Sequence, residues 1–132
     1  MKKGFTLIEL IAVLVILSII SMISVSVVLK LVNDSKAATD LVNIESMVKG
    51  SEELYFVAKM DDDKTIINII ESGNNIYNYL DITGTTPQYA DIRISDGKVY
   101  MAIYLNNRCY TKTVNSDDIT VDSEKTLAEC NI

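Results

Sequence analysis

Residues 2–29 restrict what this chain can become more than any other stretch. They read Lys2-Lys3-Gly4-Phe5-Thr6-Leu7-Ile8-Glu9-Leu10, then run on without a charge to Leu29. About 20 residues at ~1.5 Å each cover the ~30 Å hydrocarbon core of a bilayer, so residues 10–29 are long enough to span one. Glu9 stands at the edge of that run, where a carboxylate is costly unless it meets a partner. Two readings follow from these residues alone. A cleaved secretory signal has a shorter apolar region, ~7–15 residues, and Leu29-Lys30-Leu31-Val32 is a poor cleavage site. An uncleaved anchor fits the length, and Lys2 and Lys3 would hold the N-terminus in the cytoplasm. It leaves Glu9 unexplained.

Behind the apolar run the composition is that of a soluble domain, rich in Asp, Asn, Ser, Thr and Tyr. Of 132 residues, roughly 100 follow Lys30, enough for one modest core. The net charge is −6; without Lys2 and Lys3, ten Lys and Arg face eighteen Asp and Glu, a net −8. An acidic exposed domain argues against general nucleic-acid binding, which leans on a basic footprint. There is no histidine, and so no imidazole base or ligand. With no phosphate-cradling glycine loop and no nucleophile elbow, the chain is not expected to be an enzyme or to hold a cofactor or metal. Asp61-Asp62-Asp63 lacks the alternating spacing of an EF-hand loop, and Asp117, Asp118, Asp122 and Glu124 are loosely spaced; both read as solvated segments. Cys109 and Cys130 form one disulfide in an oxidising compartment, or remain two free thiols.

Between Phe5 and about Met60 there is no proline, and the only glycine is Gly50. One helix of roughly 55 residues, ~80 Å long, is expected. Its first half is apolar all round. In its second half Leu29, Val32, Leu41, Ile44, Val48 and Tyr55 recur at helical spacing, with Met47, Leu54 and Ala58 beside them. Asp34, Lys36, Asp40, Glu45, Lys49 and Glu52 fill the remaining surface. The Asp run at 61–63 opposes the macrodipole and ends the helix. A short helix is expected over 65–71, a short helix or strand over 76–80, and a loop over 84–87. The strongest β signal is a hairpin, Tyr89–Ser95 and Lys98–Leu105 around Asp96-Gly97 in a type I′ turn. Val99, Met101, Ile103 and Leu105 share one face, expected to pack on the helix. A third strand over 108–114 and a fourth over 119–121 complete an antiparallel meander. The whole reads as an α+β fold.

The order Gly4-Phe5-Thr6-Leu7-Ile8-Glu9-Leu10, with the uncharged segment behind it, resembles the processing motif of type IV pilins and pilin-like proteins. The resemblance covers about the first 30 residues; beyond them only the architecture matches, a long helix with a sheet on its second half and a disulfide-bounded C-terminal region. It implies the type IV pilin fold and three parts: a leader over 1–4, a membrane and filament-core helix over 5–29, and an extracellular head over 30–132. It also implies cleavage between Gly4 and Phe5 by a prepilin peptidase, and methylation of the new amine of Phe5. Glu9 would then pair with the terminal amine of a neighbouring subunit. Two opposite charges offset part of each other's desolvation, and wrong registers strand one of them. Glu9→Ala should insert into the membrane and assemble poorly. Many family members carry a proline near the position of Ser26; this chain has Ser18, Ser21, Ser24 and Ser26 in that region instead, small residues that let helices approach or bend.

The expected function is a structural subunit of a type IV pilus, held in the cytoplasmic membrane and then assembled into a surface filament. Its partners would be identical or related pilin subunits, the prepilin peptidase and an assembly platform. The alternatives are a pseudopilin of a type II secretion or competence DNA-uptake apparatus, a minor pilin binding DNA or another ligand, and a plain membrane anchor. The DNA-binding alternative would need Arg93, Lys98, Arg108 and Lys112 to form one patch.

Overall fold

A computed structural model describes residues 4–132. Helix α1 runs Leu7–Met60, followed by α2 (Lys64–Glu71), a 3₁₀ turn (Tyr77–Tyr79), and strands β1 (Tyr89–Ser95), β2 (Lys98–Leu105), β3 (Arg108–Lys112) and β4 (Thr120–Asp122). This is an α+β layout like that of the pilin fold. The residues divide into two units, one ending at Ala38 and one spanning Thr39–Ile132.

In the first unit, α1 exposes its side chains on every side, from Leu7 through Val32. A helix apolar all round and unburied has its natural solvent in lipid or in other helices. By length and composition α1 contains a segment able to cross a membrane, with mean hydropathy 2.9. The hydroxyls of Ser18, Ser21, Ser24 and Ser26 donate to the carbonyls of Val15, Leu17, Ile20 and Ile23 at 2.7–2.9 Å. Each serine therefore satisfies its own donor inside the helix, and α1 continues unbroken through Ser26.

In the second unit the meander is antiparallel, in the order β1-β2-β3-β4. The β1–β2 register pairs Ile92 with Met101 and Ile94 with Val99. These residues, with Ile103 and Leu105, pack on Ile44, Met47 and Val48 of α1 and on Ile70 of α2. The Asp96-Gly97 turn has φ of 52° and 76°, the left-handed pair a type I′ turn requires. The Asn106-Asn107 turn repeats the pattern at 50° and 62°. Asp63 starts α2, its carboxylate accepting the N–H groups of Thr65 and Ile66 at 3.0 and 3.3 Å. On the outer edge of β1, Asn75 acts as a one-residue strand. Its Nδ2 donates to the Ala90 carbonyl at 2.8 Å and its Oδ1 accepts the Ile92 N–H at 3.0 Å.

Some expectations are corrected. β3 stops at Lys112 rather than 114, and β4 lies over Thr120–Asp122. Over 76–80, where helix and strand were both open because the period of a short apolar run cannot choose, the chain forms a 3₁₀ helix at Tyr77–Tyr79. Leu29 and Val32 are exposed rather than part of the packed face of α1. Asp40, expected on the surface, is 3% exposed. Both its carboxylate oxygens accept from Asn106 Nδ2, at 2.9 and 3.0 Å. A partner 66 residues away, on the β2–β3 turn, makes that burial tolerable.

Candidate processing and assembly site

Gly4, Phe5 and Thr6 precede the first helical turn, and Phe5 is 86% exposed. What stops the helix from extending backward is local. Thr6 and Glu9 form a capping box: Thr6 N–H and Thr6 Oγ1 both donate to Glu9 Oε2 at 2.9 Å, while Glu9 N–H reaches Thr6 Oγ1 at 3.4 Å. Thr-Leu-Ile-Glu is the T-x-x-E signature of such a box, and it fixes Leu7 as the first helical residue. The Gly4–Phe5 peptide bond thus lies outside the helix, and both residues are exposed. Glu9, expected to meet a partner in another chain, has this one within its own. The T-x-x-E spacing was the signal that would have found it. Lys2 and Lys3, expected in a leader, lie outside the described residues.

Residues 1–25 match a family model described as the prokaryotic N-terminal methylation motif. The chain carries the type IV prepilin signature. Neither curated proteins nor solved structures give a match. The signature implies processing by a prepilin peptidase and assembly into pilin polymers. With the apolar helix behind it, it supports a type IV pilin-like or pseudopilin-like protein and fits anchoring in a membrane before assembly.

At the other end of the chain, Cys109 and Cys130 are joined, with Cα atoms 5.6 Å apart. Cys109 and Ala102 lie on the face of the sheet opposite the helix, where Tyr89 and Tyr104 flank the bridge. The tail is thus tied to the outer face. Before Cys130 it turns on a second box of the same chemistry: Thr126 N–H and Oγ1 donate to Glu129 Oε2 at 2.9 and 2.8 Å. These bonds, the backbone one first, hold the Glu129 carboxyl below the ordinary glutamate range.

The four basic residues singled out for nucleic acid do not come together. Arg93 and Lys98 pair with Tyr100 and Ser95 on the outer face, whereas Arg108 and Lys112 pair with Leu105 and Met101 on the helix side. Arg93 is engaged by Asp91 at 2.9 and 2.7 Å, and this bidentate pair raises the guanidinium pKa. Lys112 is 8% exposed and donates to the Ser116 carbonyl at 2.9 Å. Among the described residues no group of three or more acidic or cysteine side chains is arranged to hold a metal ion. The acidic runs act instead as caps: Asp63 as above, and Asp122 accepting the N–H groups of Glu124 and Lys125 at 2.9 and 3.3 Å.

Proposed function

We propose that this protein is a filament-forming subunit of a type IV pilus, with residues 1–4 as leader, 5–29 as anchor and filament core, and 30–132 as the extracellular head. The observation that carries the reading is the prepilin signature at its expected place, followed without interruption by an uncharged, unburied helix. Cleavage falls between Gly4 and Phe5, and the new amine of Phe5 is methylated and remains cationic. Glu9 meets that amine on a neighbouring subunit. Among the described residues Thr6 donates to its Oε2, so Oε1 can accept from the amine while the capping box stays intact. The disulfide-tied tail favours a pilus subunit over a pseudopilin, since it braces a head that must survive outside the cell. The subunit waits in the cytoplasmic membrane, N-terminus inward, and is passed by an assembly platform into a surface filament of identical or related subunits.

Mass spectrometry of the chain from its own cells tests the processing step. The expected N-terminus is N-methylated Phe5; an intact Met1 overturns the reading. Immunogold labelling of surface filaments with an antibody to the head tests the role. Labelling along whole filaments is expected, and its absence in correctly processed cells assigns the chain to a pseudopilin.

A further inference from the structure

Strand β1 is an edge of the sheet, and only part of that edge is closed. Asn75 takes the Ala90 carbonyl and the Ile92 N–H, and the Ile76 N–H donates to the Ile92 carbonyl at 2.8 Å. Main-chain groups of an antiparallel edge strand point alternately to the partner strand and to the open side. Ala90, Ile92 and Ile94 therefore face outward together. The closing segment stops at Ile92. Among the described residues, no hydrogen bond from it reaches the N–H or C=O of Ile94, a residue only 3% exposed. Backbone groups this deeply placed are normally paired.

A cavity of about 310 Å³ lies at this open rung. It is lined by Ile94 and Asp96 of the hairpin, Tyr55 and Lys59 of α1, and Ile70 and Glu71 of α2. Gly73, where a Cβ would meet nothing within 4 Å, leaves the approach clear. The Tyr55 ring is not free to stack on a sugar. Lys59 Nζ lies over it, 4.9 Å from the centroid, and a Cβ on Gly97 would meet the ring at 3.5 Å. Lys59 is thus engaged by Tyr55. Among the described residues the salt bridges are Arg93–Asp91 and Lys112–Asp117, so Glu71 and Asp96, both exposed, line the cavity without one.

We propose that this cavity binds a short extended peptide. One apolar residue of the peptide exchanges both main-chain hydrogen bonds with Ile94, and a basic side chain beside it meets Glu71 and Asp96. The bound residue adds a single rung to the edge that Asn75 and Ile76 already line, a minimal form of strand addition. Opposed residues of paired strands put their side chains on the same face of the sheet. The face of Ile94 is the helix side, where Ile70 packs, so the bound side chain must be apolar. An acidic peptide would set like charge against the two carboxylates. The site lies wholly within the unit Thr39–Ile132 and does not depend on assembly.

The test uses the full chain, isotopically labelled, in uncharged detergent micelles, with amide hydrogen exchange read by NMR. In the free chain the Ile94 amide should exchange faster than that of Ile92. The blocked tripeptide lysine–leucine–lysine amide should slow exchange at Ile94 by about tenfold or more. The same peptide N-methylated at leucine cannot donate to the Ile94 carbonyl and should bind about tenfold more weakly. A glutamate–leucine–glutamate peptide should not bind. Glu71→Lys, an exposed substitution, should weaken binding, while Glu124→Lys, outside the cavity, should leave it unchanged. Four results would each overturn the proposal. They are an Ile94 amide as protected as Ile92 in the free chain, no slowing at millimolar tripeptide, equal binding of the N-methylated or acidic peptide, and unchanged binding to Glu71→Lys.

Discussion

The Glu9 carboxylate accepts two hydrogen bonds from Thr6, so capping and the proposed subunit pairing would fall on one side chain. Glutamine separates them, because Gln keeps a capping oxygen but carries no charge. Under the filament reading, Glu9→Gln and Glu9→Ala are both processed and both assemble poorly, measured as sheared filament per cell. Wild-type assembly of Glu9→Gln would remove the charge pair and leave the cap. Asp40 offers a second residue-scale test. Replacing Asn106 by glycine keeps the left-handed turn (φ 50°) and deletes the amide that serves both Asp40 oxygens. A loss of about 1–3 kcal/mol in urea unfolding is expected from stranding that buried carboxylate. Tyr110 predicts the opposite sign. Its hydroxyl is buried close to Arg108 and Asp40 but makes no hydrogen bond among the described residues, and burial raises its pKa. An unpaired buried hydroxyl already carries about 1–3 kcal/mol of desolvation, so Tyr110→Phe should leave stability unchanged or raise it in the same assay.

At the scale of elements, α1 shows why period alone located its packed face imperfectly. Ile44, Met47, Val48 and Ala58 are buried as their spacing suggests, while Leu29 and Val32 share the spacing and remain exposed. Periodicity marks a stripe; only the sheet decides how far along that stripe there is something to pack against. Gly50→Ala, read by urea unfolding, should stabilise by about 1 kcal/mol, because alanine fits the space and restricts the unfolded chain. The C-terminal turn has a pH signature. Glu129 is depressed in the folded state, so its contribution is present above the unfolded carboxylate's pKa and is lost as pH falls through the folded one. The Thr126 amide should therefore lose hydrogen-exchange protection on acidification, and Glu129→Gln should flatten that dependence.

For the whole molecule, the disulfide is the one covalent tie between the tail and the outer face of the sheet among the described residues. It closes a loop of sequence separation 21, and loop-closure entropy puts its contribution at about 3 kcal/mol. Reduction of a fragment over 30–132 should lower its urea midpoint accordingly. The helix–sheet core formed by Ile44, Ile92, Met101 and Ile103 lies on the other face, so the sheet should keep its far-ultraviolet signal below the new midpoint.

The sequence by itself determined the N-terminal signature, the length of α1 and the β1–β2 hairpin with its Asp-Gly turn. Each is encoded within a few consecutive residues or by the absence of breakers, so local chemistry suffices. Tertiary structure decided the rest. Asp40 was legible only as a surface charge until Asn106, distant in sequence, arrived beside it. Arg93, Lys98, Arg108 and Lys112 looked like neighbours until the pleat divided them between two faces. Asn75 gave no sign that it would complete the edge of β1, because its partners lie 15 and 17 residues on. Such contacts depend on how strands register and which face meets the helix, and residue type alone does not carry that information.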